Sequence, residues 1–145
     1  MNRILVATDG SQGADRAIDY AARRAKDDGA ELLIVNVIGG YGLPDKVFMA
    51  FTDDQHAWLR ELLESEAAQT LTAARDRARR AGIGTILLES RSGDIAQTII
   101  DIAREKQADA IVVGKRGTGR VGGMLLGSVS QKLVILSPLP LTVVP

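Results

Sequence analysis

The sequence lacks the residues on which several kinds of functional site depend. Its 145 residues include no cysteine, which excludes disulfides, thiolate metal sites and cysteine nucleophiles. Eighteen basic residues balance eighteen acidic ones, so no net charge attracts nucleic acid or an anionic membrane. No apolar run reaches the roughly 18 residues of a membrane-spanning helix, and no signal-peptide pattern precedes the first apolar segment. We therefore expect a cytoplasmic protein without nucleic-acid or membrane partners.

Short apolar runs alternate along the chain with longer segments of helical periodicity. Ser11 is the predicted N-cap of the first helix, and Gly29 its C-terminal stop. This alternation predicts a single α/β domain over residues 1–145, with a doubly wound, mainly parallel sheet of five strands. Residues 39–52 are predicted to be irregular. The predicted strands are 4–8, 31–38, 85–91, 110–113 and 141–144, and the predicted helices are 11–28, 53–81, 94–106 and 128–136.

Unusual residues concentrate in two loops, 9–13 and 115–127, each of which follows a predicted strand. In a doubly wound sheet, ligands bind beyond the carboxyl ends of the strands, where the direction of winding reverses. Periodicity does not give the order of the strands. An order of 3-2-1-4-5 would bring both loops to that crevice.

The second loop belongs to a glycine-rich segment, 114–130, which holds six of the fifteen glycines. Glycine lets backbone N–H groups turn towards an anion without obstruction by a Cβ. Lys115, Arg116 and Arg120 add positive charge, and Ser128 and Ser130 open a helix, either as N-cap residues alone or as caps that also contact phosphate. The segment is therefore a candidate phosphate site, the alternative being a flexible connector.

Two common nucleotide motifs do not account for this segment. The P-loop pattern fails because Arg116 follows Lys115 where Ser or Thr is required. The pattern GxGxxG matches at Gly117, Gly119 and Gly122, but the acidic residue expected about 20 residues further on is absent. We interpret this second match as accidental.

A third pattern does fit: Gly114-x2-Gly117-x9-Gly127-Ser128 resembles the ATP-binding signature of universal stress proteins. The resemblance extends over the chain, from the opening ILVATDGS to the closing PLTVV. It implies an adenine nucleotide alpha hydrolase-like, Rossmann-like fold with strand order 3-2-1-4-5. It also implies bound ATP, and because a divalent cation usually accompanies a triphosphate, we expect Mg²⁺ with it.

The resemblance assigns roles to particular residues. Thr8 and Asp9 would lie beside the adenosine, and Val37 would contact adenine. The expected site residues are Ala7, Thr8, Asp9, Val37, Val113, Gly114, Arg116, Gly117, Gly127, Ser128, Val129 and Ser130. Of these, Gly114, Arg116 and Gly117 would line the ribose and first phosphates, and residues 127–130 would hold the outer phosphates. Asp9 has the alternative interpretation of turn and cap chemistry.

Three functions remain open. The first is an ATP-binding regulator of the stress response with slow or no hydrolysis, since only Asp9 can be placed in the pocket as a carboxylate. The second is an enzyme, either a slow ATPase or a nucleotidyl-transfer protein. The third is a nucleotide-free dimeric scaffold. The resemblance also implies a homodimer, for which 141–144 is a candidate edge strand, and an unknown regulatory partner.

His56 is the single histidine and has no sequence partner for catalysis, so we interpret it as a surface residue. Phe48, Phe51 and Trp58 are interpreted as packing residues rather than as a base-stacking platform. An alternative is that they pack on a neighbouring subunit or cover the nucleotide. In the helix predicted at 53–81, apolar residues recur on one face: Leu59, Leu62, Leu63, Ala67, Leu71, Ala74 and Ala78.

Overall fold

A computed structural model describes residues 1–39, 43–115 and 126–145. Strands and helices alternate through these residues. The strands are Arg3–Ala7 (β1), Glu31–Ile38 (β2), Ile86–Ser92 (β3), Ala110–Gly114 (β4) and Leu141–Val144 (β5). The helices are Gln12–Asp28 (α1), Asp45–Met49 (α2), Asp53–Arg79 (α3), Ile95–Glu105 (α4) and Ser128–Leu136 (α5).

The five strands form one sheet in the order β3-β2-β1-β4-β5, and every pairing is parallel. This confirms the predicted fold class and strand order. The winding reverses at β1, because β2 pairs with it on one side and β4 on the other. Val6 of β1 lies opposite Val112 of β4. The crevice at the carboxyl ends of β1 and β4 is therefore the place where such a sheet binds ligands.

Helices cover both faces of the sheet, which explains the nearly continuous apolar character of the strands. On β1, Ile4 and Val6 pack in the cluster formed with α1 and α3, whereas Leu5 packs in the cluster with α4 and α5. Small side chains on α1 bring that helix close to the sheet. Its buried residues include Ala17, Ala21 and five others. The predicted caps of α1 are confirmed: the Ser11 side chain accepts from the Ala14 N–H, and Gly29 adopts a left-handed φ of 66°.

The stretch predicted to be irregular contains a helix. Pro44 precedes α2 as its N-cap residue, and the fixed φ of proline suits the start of a helix. Thr52 and Gln55 then form a capping box at the start of α3. The prediction of irregular structure was therefore wrong for Asp45–Met49.

Within the described residues, the buried positions of α3 all lie in its second half. Its buried residues are Ala67, Leu71, Ala74 and Ala78. Leu62, predicted to share their face, is 50% exposed, as no residue of this helix before Ala67 is buried in the cluster with α1 and the sheet. The apolar periodicity therefore runs beyond the part of the helix that the sheet covers.

The aromatic residues near α2 divide into two groups. His56 lies with its ring edge-on to Phe48, 4.3 Å between centroids, and 5.7 Å from Phe51. The packing interpretation is thus confirmed for both phenylalanines. His56, interpreted as a surface residue, is partly exposed and packs with them. Trp58 is 61% exposed, so within this chain the packing interpretation is wrong for it. None of the helices in the described residues has the length and apolar character needed to cross a bilayer.

Candidate functional site

The turn that follows β1 is held in shape by its own side chains. The backbone N–H of Thr8 donates to the Val35 carbonyl at 2.8 Å, and Thr8 Oγ1 accepts from the Gly10 N–H at 3.1 Å. Asp9 Oδ1 accepts from the Ser11 N–H at 3.0 Å. Gly10 has a φ of 81°, a conformation that favours glycine. The turn therefore presents the exposed side chain of Asp9 at the carboxyl end of β1.

Asn36 fixes this turn from the neighbouring strand. Its side-chain Nδ2 donates to the Thr8 carbonyl at 2.8 Å, and the amide is buried. Buried polar groups usually have such a partner, because losing it costs about 1–3 kcal/mol. Sequence reasoning missed Asn36, although a polar residue inside the apolar run of β2 was a usable signal. Val37 follows it, half-buried and packed against the cluster with α4 and α5.

The chain leaves β4 and returns to α5 at the same place. The Lys115 N–H donates to the Val144 carbonyl at 2.7 Å, and the Gly127 N–H donates to the Lys115 carbonyl at 2.9 Å. Ser130 is 3% exposed, and its hydroxyl lies 2.8 Å from the Gly114 carbonyl and 3.2 Å from that of Lys115. These bonds hold the first turn of α5 against the carboxyl end of β4.

Within the described residues, no side chain caps the N-terminus of α5. Its N-cap residue is Gly127, which has no side chain to accept hydrogen bonds from the N–H groups of the first turn. Ser128 is exposed at the first helical position, and Ser130 bonds to β4. The interpretation of Ser128 and Ser130 as N-cap residues was therefore wrong. Uncapped N–H groups and the positive end of the helix dipole at this position favour an anion.

The two halves of the site approach each other closely at Gly114. A Cβ added to Gly114 would lie 2.8 Å from the carbonyl oxygen of Gly13 in the first turn of α1. Such a contact requires the backbone to move. Glycine at this position therefore lets the end of β4 lie against the start of α1, so that the turn after β1 and the first turn of α5 flank one crevice.

The structure brings ten of the twelve expected site residues to the carboxyl ends of β1, β2 and β4 and to the start of α5. Those at the strand ends are Ala7, Thr8, Asp9, Val37, Val113 and Gly114, and those on α5 or at its N-cap are Gly127, Ser128, Val129 and Ser130. Arg116 and Gly117 lie outside the described residues. The contact of each with a ligand stays a prediction.

A cavity of about 480 Å³ lies between α1 and α3 and borders the turn after β1. Thr8 and Gly10 contribute to its lining, as does Arg77 from α3. Arg77 donates two hydrogen bonds of 2.7 Å to the Asp19 carboxylate. These bonds lower the pKa of Asp19 below its ordinary value and raise that of Arg77. The guanidinium therefore already has an anionic partner.

Comparison with known proteins gives one family. The family model described as "Universal stress protein family" matches residues 1–145. Universal stress protein YxiE of Bacillus subtilis is 33% identical over 150 residues, covering 99% of this chain and 98% of that protein. The structure of UspA from Lactobacillus plantarum superimposes with a TM-score of 0.82 at 27% identity, covering 99% and 97% of the two chains.

A universal stress protein solved in complex with cAMP is also similar. Its TM-score is 0.72 at 26% sequence identity, covering 99% of this chain and 95% of that one. Family match, relatives and fold agree over essentially the full sequence. The chain therefore belongs to the universal stress protein family.

Proposed function

We propose that the protein binds ATP in the crevice between β1 and β4 and acts as a nucleotide-dependent regulator of the stress response. The observation that carries this proposal is the uncapped N-terminus of α5, held at the carboxyl end of β4 by Ser130. A helix start of this kind is an anion site, and it lies at the reversal point of the sheet. The similar protein solved with cAMP supports an adenine nucleotide.

The residues present fit such a nucleotide. The phosphates would lie at the start of α5, where the N–H groups of Ser128, Val129 and Ser130 belong to an uncapped first turn. The adenosine would lie nearer β1 and β2, with Thr8, Asp9 and Val37. Ala7, Val113 and Gly114 would form the floor at the strand ends, and Arg116 and Gly117 would complete the phosphate site. A triphosphate binds Mg²⁺ largely through its own oxygens and water, and we include Mg²⁺ in the proposal.

Hydrolysis of the bound ATP would be slow or absent. Fast hydrolysis requires a group that orients the attacking water and charges that stabilise the leaving phosphate. Asp9 is the carboxylate at the end of β1, and its Oδ1 already accepts the Ser11 N–H. That bond supports a positional role for Asp9 in the turn. Nucleotide occupancy, rather than turnover, would then be the signal that a regulatory partner reads.

The edge strand β5 would join two copies into a homodimer. Within the described part of the chain it pairs only with β4, and its four residues are half-buried. On α5, Val134, Ile135 and Leu136 are 56%, 80% and 51% exposed, so an apolar surface accompanies the open strand edge. Such an edge pairs readily with its copy across a twofold axis. Light scattering is expected to give twice the mass of one chain, and the mass of one chain would refute the dimer.

The binding proposal is tested by purifying the protein without added nucleotide and analysing its acid extract by ion-exchange chromatography. Thermal unfolding is then followed with and without Mg·ATP, AMP and cAMP. Bound ATP at a hundredfold excess over its dissociation constant is expected to stabilise the fold by about 2.7 kcal/mol. Measuring phosphate release from Mg·ATP by the folded protein separates a binding protein from a slow ATPase. An extract without adenine nucleotide, together with no stabilisation by any of the three, would favour the scaffold.

A further inference from the structure

The first half of α3, together with α2 before it, carries large apolar side chains on its surface. Met49 is 80% exposed, Trp58 61% and Leu62 50%. No residue of α3 before Ala67 is buried. Clustered exposed apolar side chains mark interaction surfaces, and tryptophan is enriched among the residues that contribute most to binding energy.

Four of these surface residues form one row along the helix. Asp54, Trp58, Leu62 and Glu66 follow one another at intervals of four, a spacing that places side chains on the same face. We call this row the α3 stripe. Its apolar centre has a carboxylate at each end, and Glu61 lies beside Trp58 at the i+3 position. The three acidic residues are exposed.

The surroundings of the α3 stripe are acidic although the chain as a whole is neutral. Residues 43–66 contain six acidic and two basic residues, a difference of four negative charges. No ion pair within the described part of the chain involves Asp54, Glu61 or Glu66. A surface of this kind attracts a cationic partner and repels an acidic one.

The α3 stripe continues into the cavity between α1 and α3. Glu66, its last residue, lines that cavity with Thr70 of the next turn. Arg77, further along, is neutralised by Asp19. The α3 stripe therefore runs from Asp54 to the edge of this cavity, along about three turns of the helix, which suits an elongated occupant.

We propose that the α3 stripe docks an amphipathic helical segment of a partner protein, apolar on one side and flanked by Lys and Arg. Leu or similar side chains of the segment contact Trp58 and Leu62, and its basic residues pair with Asp54, Glu61 and Glu66. A second copy of this chain is disfavoured as the occupant, because its own stripe would bring carboxylates against carboxylates. The proposal does not depend on nucleotide binding.

Trp58 is the only tryptophan in the chain, so its fluorescence reports on the stripe directly. The probe is a synthetic helix of about 18 residues, or five turns, made of Leu and Lys at amphipathic spacing. The matched control replaces every Lys with Glu. We expect a saturable blue shift of the emission with the Leu/Lys peptide, weakened by salt, and none with the Leu/Glu peptide. Equal shifts with both peptides, or no shift, would overturn the proposal.

Surface variants locate the binding. We expect two variants, Leu62→Ser and the double variant Asp54→Lys with Glu66→Lys, each to lower the affinity for the Leu/Lys peptide by about tenfold or more. This is equivalent to at least about 1.4 kcal/mol of binding free energy. Leu88→Ser, at an exposed position on β3 outside the proposed dimer surface, is the matched apolar control and should leave the affinity unchanged. Circular dichroism verifies that each variant is folded. Equal weakening by Leu88→Ser, or a change of oligomeric mass in Leu62→Ser, would show that the stripe is not the docking site.

Discussion

Replacing Ser128 with aspartate tests whether phosphate binds at the start of α5. Ser128 is exposed at the first position of a helix whose N-cap makes no side-chain hydrogen bond. A carboxylate there interacts favourably with the helix dipole, by about 0.3–1 kcal/mol, so the variant should fold as well as the parent. Against a phosphate the same carboxylate is repulsive. Two unit charges about 4 Å apart repel by about 1 kcal/mol in bulk water and about 4 kcal/mol at an effective dielectric of 20.

The expected loss of ATP affinity at this exposed position lies between those limits, at roughly fivefold to several hundredfold. Adenosine lacks phosphate, so its affinity should not change. Ser128→Asn is the matched control, because asparagine has the size of aspartate but no charge. It should bind ATP nearly as the parent does. Calorimetric titration of the three proteins with Mg·ATP and with adenosine makes the comparison. An unchanged ATP affinity in Ser128→Asp, or an equal loss for adenosine, would refute the placement of phosphate at α5.

Three further predictions concern the supports of the site. Ser130→Ala removes the hydroxyl that bonds to the Gly114 carbonyl and should lower the free energy of unfolding by about 1–2 kcal/mol; a urea midpoint equal to the parent's would contradict this. Asn36→Leu removes the donor to the Thr8 carbonyl and should lower the affinity for adenosine as much as the affinity for ATP, which titration with both ligands checks. The Arg77 hydrogen bond lowers the pKa of Asp19 below its ordinary 3.8. The stabilisation by ionised Asp19 is therefore full above about pH 4 and is lost as the pH falls through the lower pKa of the folded state. Asp19→Asn should reduce this loss of stability at acid pH, and an unchanged pH dependence of stability would exclude Asp19 as its cause.

The sequence was sufficient for most of the fold because local signals agreed with the tertiary arrangement. Ser11 and Gly29 delimit α1 by cap chemistry that acts within a few residues. The strand order came with the family signature, since periodicity carries no information on which strands pair. The helix at Asp45–Met49 was missed because a five-residue helix is too short to show a period.

Side-chain roles that depend on tertiary contacts were harder to predict. Ser130 was expected at a helix cap, but its hydroxyl bonds to the end of β4, a contact between residues sixteen positions apart. Asn36 likewise bonds to a residue distant in the sequence, donating to the Thr8 carbonyl in the turn after β1. Leu62 fits the apolar period of α3 yet is exposed, because periodicity does not reveal where the covering sheet ends.

The central claim, a nucleotide in the crevice between β1 and β4, is tested most directly by mapping backbone amide chemical shifts during titration with Mg·ATP. We expect the largest changes at the turn after β1, at Gly114 and Lys115, and at residues 127–130. Changes concentrated on α3, or no changes at saturating nucleotide, would contradict the account.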